Sequence, residues 1–355
     1  MNRCIGILGC GQLGMMLAQS ARNLGAKVCF LAVDETPVVH GLGDIYDESQ
    51  LDEFIDRIDC ATIEREAIPE RILEKVAANT RLSPSFDALI RLRSRHSQKA
   101  LFDELALNTS PWCLVECAAD LPAALAGFAN RRVRAKRVLG GYDGGGQWTM
   151  QADQEPPTVA DSDYPLILEA EIDIDEEVSV LMARGADGQF ECYPINYNEM
   201  RNGVLAWSLI PAPISHELQI KAKTYVEKIM NHLNYVGVLA MEFFISQGEL
   251  IVNEIAPRVH NTGHWTIEGA QCSQFEQHVR AVMGLPLLPH GALGAAGLCN
   301  LLGDARPKDF PSEPVRMYLH WYGKSFRPGR KMGHLTLIGP DLDAVRRATD
   351  ELALF

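Results

Sequence analysis

The chain lacks the features that mark membrane, fibrous and repeat proteins. Its 355 residues contain no apolar run of about 18 residues, the length that a membrane-spanning helix needs. Internal repeats, low-complexity segments and long linkers are also missing, so we expect tightly packed domains. The first residues, MNRCIGILGCGQLG, begin a strand at once, and we expect no signal peptide.

Positive charge is scarce, and the cysteines form no recognisable framework. Lys and Arg number 33 against 46 Asp and Glu, for a formal net charge of −13, which argues against nucleic acid or an anionic membrane as partner. A locally basic site for a small anion is still compatible with this balance. The nine scattered cysteines contain no CxxC motif, which argues against zinc and disulfides and favours a reducing cytoplasm. The length predicts two or three domains.

The most informative segment contains two short strands and a turn. The apolar stretches VGVLAMEFFI and ELIVNEIA flank SQGE and predict a hairpin. Pairing that is symmetric about Gly248 places Glu242 opposite Glu254, where two carboxylates repel each other. A cation between them would offset this repulsion, and oxygen ligands suit Mg²⁺. The alternative is that both carboxylates point to solvent on an exposed face.

Candidate anion-binding residues follow the hairpin and recur near the end of the chain. Arg258, His260 and Asn261 come directly after the second strand, and a metal site beside an anion site suggests phosphate chemistry. RPGRKMGH, residues 327–334, concentrates cations in a turn, either as an anion clamp or as a solvated loop. Between these segments, the chain from Gly263 onward predicts a helix that ends at Gly284.

The glycine pattern near the start matches a dinucleotide-binding fingerprint. GCGQLG follows a predicted strand and opens a helix, and Asp34 lies about 20 residues further on, which suggests an NAD enzyme. Two alternatives remain open. The glycines are needed by any tight turn between strand and helix, or the helix N-terminus binds another phosphate.

A second glycine-rich segment, GGYDGGG at residues 140–146, lies between two predicted strands. It is therefore neither a Walker loop nor a Rossmann turn, each of which opens a helix. Such a hairpin can fold its N–H groups over phosphates as a lid, with Lys136 supplying charge. The alternative is a surface hairpin.

The sequence EAEI, residues 169–172, follows an apolar run and is interpreted as an edge strand or a hinge. Its backbone could bind an adenine, with Glu177 near the ribose. The residues alone favour a simpler interpretation, in which two acids lie on a solvated strand face.

Together these segments resemble the ATP-grasp superfamily, and within it the 5-(carboxyamino)imidazole ribonucleotide synthase family of purine biosynthesis. The resemblance covers nearly the whole chain and rests on GCGQLG, SRHSQKALFDEL, AKRVLGGYDGGGQW, EVSV, YVGVLAMEFF, NEIAPRVHNTGHWTIEGAQCSQFEQHVRA and RPGRKMGHL. The long motif that begins NEIAPRVHNTGHWT separates this family from biotin carboxylase and the formate-dependent glycinamide ribonucleotide transformylase.

The resemblance implies an α/β and α+β fold in three parts. These are an N-terminal Rossmann-like domain that binds no NAD (1–94), an ATP-grasp domain (95–288) and a small C-terminal domain (289–355). It implies a carboxylating ligase that uses ATP, Mg²⁺ and bicarbonate to convert 5-aminoimidazole ribonucleotide to its N-carboxylated form. It further implies a cytoplasmic homodimer without nucleic-acid or membrane partners.

The resemblance also assigns site residues by matching position. ATP is expected to meet Arg95, Lys136, Gly141, Tyr142, Asp143, Gly144, Gly145, Gly146, Gln147, Glu169, Ala170, Glu171, Ile172, Glu177, Asn253 and Glu254. The Mg²⁺ ligands are expected to be Glu242 and Glu254. Bicarbonate and carboxyphosphate are expected at Arg258, His260, Asn261 and Lys331. The ribonucleotide is expected at Gln12, Leu13, Tyr142 and Arg330.

Two positions depart from the family pattern. Gly145 stands where the family lid, GGYDGRG, has Arg, and Met200 occupies a position where relatives often carry His. The first departure removes a cation near the substrates and the second changes an ATP contact, so the resemblance predicts an altered turnover rate or substrate affinity. The alternative functions are another ATP-grasp carboligase, an NAD-dependent oxidoreductase, and a nucleotide-binding regulatory protein that has lost turnover.

Overall fold

Three β-sheets, each built from a different stretch of the chain, form the framework of the protein. The structure, a computed structural model, describes residues 3–33, 36–128, 131–140, 146–151, 157–201, 203–303, 314–352 and 354. The helices in these segments are α1 Gln12–Asn23, α2 Leu51–Arg57, α3 Glu70–Asn79, α4 Phe86–Leu92, α5 Arg95–Glu104, α6 Leu121–Ala126, α7 His216–His232, α8 Thr266–Gly269, α9 Gln274–Met283 and α10 Leu342–Glu351. None of them, within the segments just given, combines the length and the apolar character needed to cross a membrane.

The strands alternate with these helices in the first part of the chain and dominate the rest. They are β1 Cys4–Leu8, β2 Lys27–Leu31, β3 Asp44–Tyr46, β4 Cys60–Ile63, β5 Arg81–Leu82, β6 Trp112–Val115, β7 Arg132–Arg137, β8 Gln147–Gln151, β9 Leu166–Ala170, β10 Glu176–Arg184, β11 Phe190–Cys192, β12 Asn196–Arg201, β13 Val204–Ile210, β14 Gly237–Ser246, β15 Glu249–Ala256, β16 Ala295–Leu302, β17 Arg316–Trp321 and β18 Lys331–Gly339.

The first sheet is parallel, with strand order β3-β2-β1-β4-β5. Its central strand, CIGIL, is buried along its whole length, because helices cover both faces of a parallel sheet. Ile5 and Ile7 pack toward α1 and α9, whereas Cys4 and Leu8 pack toward α2 and α3. The predicted strand–helix–strand unit and the third parallel strand, β4, are confirmed.

The second sheet is antiparallel, with order β6-β9-β7-β8, and α6 packs on it through Leu121 and Leu125. Strand β9 lies between β6 and β7 and ends at Ala170. The interpretation of residues 169–172 as an edge strand is therefore wrong. Residues 171–175 connect this sheet to β10 of the next, which matches the hinge alternative.

The third sheet has nine strands in the order β15-β14-β10-β12-β13-β16-β18-β17, with β11 beside β10. The predicted hairpin is confirmed as the antiparallel pair β14 and β15. Apolar residues of α5 and α7 pack on this half of the sheet, and α10 covers the C-terminal strands. Because β16 pairs with β13, the last part of the chain extends the sheet of the preceding part. The exact domain boundaries stay predictions.

The segment after the hairpin forms two helices instead of the one predicted from Gly263. The short α8 ends at Gly269, and α9 begins after Ser273, whose hydroxyl accepts a hydrogen bond from the Glu276 N–H. This cap starts a new helix, and Gly284, with φ of 68°, ends it as predicted.

Candidate active site

A cleft of about 1350 Å³ opens where the three sheets meet. The predicted site residues that line it are Gln12, Leu13, Arg95, Lys136, Gln147, Glu169, Ala170, Glu171, Ile172, Glu177, Glu242, Asn253, Glu254, Arg258, His260, Asn261, Arg330 and Lys331. Gly146 lies beside this lining, where its carbonyl accepts a hydrogen bond from the N–H of Arg137. The remaining predicted lid residues, Gly141, Tyr142, Asp143, Gly144 and Gly145, lie outside the described residues.

Two carboxylates face each other across the hairpin. Glu242 on β14 pairs directly with Glu254 on β15, as predicted. The turn that joins the strands is formed by Gln247 and Gly248, with φ values of 51° and 79°. The centre of pairing therefore lies between these two residues and not on Gly248.

A β-bulge restores the carboxylate pair that the shifted turn would otherwise break. Pairing runs regularly from the turn to Phe243 and Val252, and the register then shifts by one residue at Asn253. Without this shift, Glu242 would face Asn253. Because a bulge places an additional residue in one strand, both Asn253 and Glu254 line the cleft.

The carboxyl groups of Glu242, Glu254 and Glu177 lie close enough together at this end of the cleft to affect one another's ionisation. Burial, followed by the Glu254 and Glu177 carboxylates, raises the pKa of Glu242 to about 8. Burial and Glu199 raise the pKa of Glu177 to about 7. A divalent cation fits here, because Mg²⁺ binds one or two carboxylates and completes its coordination with water and phosphate oxygens. Among the described residues no three His, Cys, Asp or Glu side chains form a metal-binding group, so substrate oxygens would have to share the ion.

A buried ion-pair cluster holds a cation on the opposite wall. Lys136 Nζ lies 2.7 Å from Glu169 Oε2, and Lys99 Nζ lies 3.3 Å from Glu169 Oε1. Burial works to raise the pKa of Glu169, but Lys136 and Lys99 outweigh it and lower that pKa overall. Glu169 is 6% exposed, so the prediction of acids on a solvated strand face is wrong for this residue. Its carboxylate fixes the position of Lys136.

Arg95, at the start of α5, joins the glycine-rich connection to the carboxylate pair. Its Nη1 donates to the carbonyl of Arg137 at 3.0 Å and to the carbonyl of Gly140. Its Nη2 lies 3.9 Å from Glu254 Oε2. The side chain thus ties the end of β7 to the third sheet.

The cations beyond the hairpin are oriented by neighbours from other parts of the chain. Arg258 Nε lies 2.9 Å from Oε1 of Glu66, which follows β4 of the first sheet. Lys331 Nζ donates to Oδ1 of Asn261. Two predicted anion-binding side chains are therefore in direct contact, although they are far apart in the sequence.

His260 is a neutral side chain between the two ends of the cleft. Burial, with Arg258 and Lys331 adding to it, lowers the pKa of His260 to about 3. Nδ1 lies 2.9 Å from the Thr262 hydroxyl and 3.4 Å from the Thr262 N–H, and Nε2 lies 3.5 Å from Glu242 Oε1. His260 can therefore donate one hydrogen bond without carrying a positive charge.

The glycine loop after β1 packs around the carboxylate of Glu64, a residue that directly follows β4. Glu64 accepts hydrogen bonds from the N–H of Gly11, at 2.6 Å, and from that of Gly14, at the N-terminus of α1. A Cβ at Gly9 would lie 2.3 Å from Glu64, and one at Gly11 would lie 2.6 Å from it. The glycines thus make room for Glu64 at the position where a dinucleotide phosphate binds. Asp34, the other part of the fingerprint, lies outside the described residues.

The C-terminal turn and β12 complete the lining. Arg330 Nη1 donates to the carbonyl and the hydroxyl of Ser325, each at 3.0 Å. Met200 lies in the wall with 36% of its surface exposed, where the resemblance predicted a changed ATP contact.

Several buried polar residues that the sequence reasoning missed hold this site together. Gln98 exchanges two hydrogen bonds with the backbone of Ile255, both at 2.9 Å, and so fixes β15 beside Glu254. Gln274 does the same for the backbone of His260. The sequence did contain features that could have identified both residues. Gln98 lies three residues after Arg95 and so on the same face of α5, and Gln274 directly follows Ser273, which caps α9.

Two antiparallel sheets, one holding a lysine–glutamate pair and the other opposed carboxylates, give the arrangement expected of the ATP-grasp class. Family models agree with this class along the chain. The ATP-grasp domain matches residues 100–275, the ribonucleotide synthetase preATP-grasp domain 1–92, and the phosphoribosylaminoimidazole carboxylase C-terminal domain 296–348.

Comparison with individual proteins narrows the class to one family. The N5-carboxyaminoimidazole ribonucleotide synthase of Pseudomonas aeruginosa is 39% identical over 340 residues, which cover 94% of each chain. The crystal structure of the synthetase from Thermus thermophilus matches with a TM-score of 0.90 at 38% identity, covering 98% of this chain and 97% of the other. The Staphylococcus aureus enzyme, complexed with ADP, matches with a TM-score of 0.89 at 31% identity, covering 99% and 96%. The chain belongs to the N5-carboxyaminoimidazole ribonucleotide synthase family, and the predicted family and fold class are confirmed.

Proposed function

We propose that this protein carboxylates 5-aminoimidazole ribonucleotide with ATP and bicarbonate in de novo purine biosynthesis. Family membership supports the reaction class, an ATP-dependent carboxylating ligase. One structural observation carries the proposal: the Glu242–Glu254 pair adjoins Arg258 and Lys331 in a single cleft. A cation site thus lies beside an anion site, as phosphoryl transfer to bicarbonate requires.

The first step is transfer of the γ-phosphoryl group of ATP. A bicarbonate oxygen forms a bond to the γ-phosphorus, the bond to the ADP oxygen breaks, and carboxyphosphate results. Catalysis of such a step is mostly positioning and charge stabilisation. Lys136, held by Glu169, supplies a fixed cation on the nucleotide side. Arg258 and Lys331 supply cations on the bicarbonate side.

Glu242 and Glu254 would hold Mg²⁺ in this step, with substrate oxygens completing its coordination. When bound, the ion neutralises charge on the phosphate oxygens. The raised pKa of Glu242 supports this role, because burial and the neighbouring Glu254 and Glu177 carboxylates both disfavour its charged form until a cation offsets them.

In the second step the amine nitrogen of the ribonucleotide bonds to the carboxyl carbon, either in carboxyphosphate or in the CO₂ that carboxyphosphate releases. Inorganic phosphate leaves, and the nitrogen loses a proton to give the N-carboxylated product. Gln12, Leu13 and Arg330 line the part of the cleft assigned to the ribonucleotide. Exclusion of water favours this transfer over hydrolysis of carboxyphosphate.

The direct test is ADP release with Mg-ATP and bicarbonate, measured with and without 5-aminoimidazole ribonucleotide. We expect release to depend on both substrates and to match formation of the carboxylated product. Release that another amine or acid stimulates would identify a different carboligase. Calorimetry that detects ATP binding without turnover would favour a nucleotide-binding regulator, and NAD binding without ATP binding would favour an oxidoreductase.

The homodimer and the cytoplasmic location are further parts of the proposal. The resemblance supports the first, and the scattered cysteines, none of them in a disulfide among the described residues, support the second. Light scattering coupled to gel filtration measures the molar mass directly, against 39.2 kDa for one chain.

A further inference from the structure

The loop after the hairpin is held by the side-chain amide of Gln274, whose orientation is fixed by its partners. Oε1 accepts from the His260 N–H at 2.9 Å, and Nε2 donates to the His260 carbonyl at 2.7 Å. A flipped amide would set oxygen against oxygen and N–H against N–H, so only this orientation satisfies both bonds. Gln274 is fully buried, which makes any unpaired polar atom costly here.

The same amide fixes the tautomer of His264. Nδ1 of His264 lies 3.2 Å from Gln274 Nε2, which is a donor, so Nδ1 must accept. Burial, with Lys331 as the next cause, lowers the pKa of His264 well below its ordinary value, so the ring is neutral. A neutral imidazole carries one proton, and in His264 it resides on Nε2.

This Nε2–H is a buried donor whose acceptor is not part of the described chain. His264 is 0% exposed, and its Nε2 has no hydrogen-bond partner among the described residues. The residue lines the cleft together with Asn261 and Lys331. Its Nδ1 edge faces Gln274, so Nε2 lies on a different edge of the ring from that amide. An unpaired buried donor costs about 1–3 kcal/mol, and an oxygen of a bound ligand would offset that cost.

We propose that His264 binds substrate: its Nε2–H donates to an oxygen of the bicarbonate-derived oxyanion beside Lys331. This inference rests on the proposed function, which assigns bicarbonate to that part of the cleft. A neutral donor next to a lysine adds a directed hydrogen bond without adding charge. It gains strength as negative charge develops on the oxygen, as donors in oxyanion sites do.

An internal water is the competing explanation for the same donor. The His334 ring centroid lies 4.8 Å from that of His264, and His334 Nε2 also has no partner among the described residues. Tyr322 already bonds His334 Nδ1 at 2.6 Å. A water between the two histidines would give His264 a structural role only, and the experiment must separate these cases.

Paired substitutions of His264 provide the test. His264→Gln keeps an N–H group near the Nε2 position, whereas His264→Asn keeps only the part near Nδ1. We expect His264→Asn to raise the KM for bicarbonate about tenfold to a hundredfold, and the KM for ATP by less than about twofold. We expect His264→Gln to recover most of this loss, to within about threefold of wild type.

His278→Asn is the matched control, because both nitrogens of that buried ring are bonded internally, to Thr62 and the Val238 N–H. It should lower thermal stability without a selective change in the KM for bicarbonate. If both His264 variants lose stability equally and bind bicarbonate normally, the water explanation holds and the inference is wrong. A wild-type protein without bicarbonate-dependent ADP release would instead overturn the proposed function.

A measurement on the unaltered protein covers the case in which His264→Asn fails to fold. Nitrogen-15 NMR of labelled histidines distinguishes Nε2–H from Nδ1–H tautomers, and comparison with His264→Gln assigns the signal. We expect an Nε2–H signal for His264 that shifts when bicarbonate and the non-hydrolysable ATP analogue AMP-PNP are added with Mg²⁺. An Nδ1–H tautomer, or a signal that stays unchanged, would overturn the inference.

Discussion

At the scale of single residues, the repulsion between Glu242 and Glu254 is the feature most directly tied to turnover. We expect Glu242→Gln and Glu254→Gln each to lower turnover on the order of a hundredfold, because each removes a negative ligand from the proposed Mg²⁺ site. Rates of ADP release across a Mg²⁺ titration measure the effect. Glu249→Gln is the control, since Glu249 lies on the same hairpin but is exposed and paired with Lys221 at 2.9 Å. If both variants release ADP at wild-type rates at limiting Mg²⁺, neither glutamate is a ligand of the metal.

The burial of Glu242, together with this repulsion, raises its pKa and predicts a dependence of stability on pH. Without Mg²⁺, native Glu242 holds its proton up to about pH 8, whereas the ordinary pKa of the group is 4.5. Between these values the native state binds more protons than the unfolded state, so stability falls as the pH rises. We expect Glu242→Gln to be more stable than wild type at pH 8, on the order of 2 kcal/mol, and close to wild type at pH 5.

Urea unfolding in EDTA at the two pH values measures this difference. Adding Mg²⁺ should stabilise wild type more than the variant, since only wild type has both ligands. A stability difference that is equal at both pH values would show that Glu242 is not protonated in the native state.

At the scale of elements, periodicity and turn residues predicted most strands and helices, whereas register depended on packing. The hairpin of β14 and β15 shows how far strand register can be predicted from the sequence. Symmetry about Gly248 predicted the Glu242–Glu254 pair, yet the turn lies half a residue earlier and the bulge at Asn253 compensates. Nothing local in ELIVNEIA distinguishes a bulged strand from a regular one. Val252 and Ile255 both contact the apolar core, and this packing places the additional residue between them.

The N-terminus of α1 gives a prediction at this scale. Glu64→Ala should lower the free energy of unfolding by about 2–3 kcal/mol, because the N–H groups of Gly11 and Gly14 both lose their hydrogen-bond acceptor. Millimolar sulfate should restore part of this loss, since an anion can bind at an open helix N-terminus. Urea unfolding with sulfate, and with sodium chloride at equal ionic strength, measures both effects.

Glu48→Ala is the control for this change, because Glu48 lies in the same part of the chain but forms an exposed ion pair with Arg71. Equal stabilisation of Glu64→Ala by both salts would indicate general screening and no anion site.

At the scale of the whole molecule, the motifs predicted the composition of the cleft better than its internal contacts. The sequence marked Lys136, Glu242 and Arg258 as functional because each belongs to a distinctive segment. It did not predict that Glu169 would be buried between two lysines, because its partners lie on β7 and α5. Contacts between elements distant in the chain are set by how the sheets pack, and no local pattern records them.

The contact between Glu66 and Arg258 joins the first sheet to the anion end of the cleft, and it gives the last prediction. Glu66→Gln should raise the KM for bicarbonate about tenfold and leave the KM for ATP within about twofold. The reason is that the substitution removes the negative charge that orients Arg258 and affects no residue on the nucleotide side. Glu70→Gln is the control, since its ion pair with Arg93, at 3.1 Å, leaves Glu70 largely exposed. Steady-state kinetics with each substrate varied in turn separate the two constants. Equal changes in both would mean that Glu66 shapes the cleft as a whole, and an unchanged KM for bicarbonate would mean that Arg258 keeps its position without it.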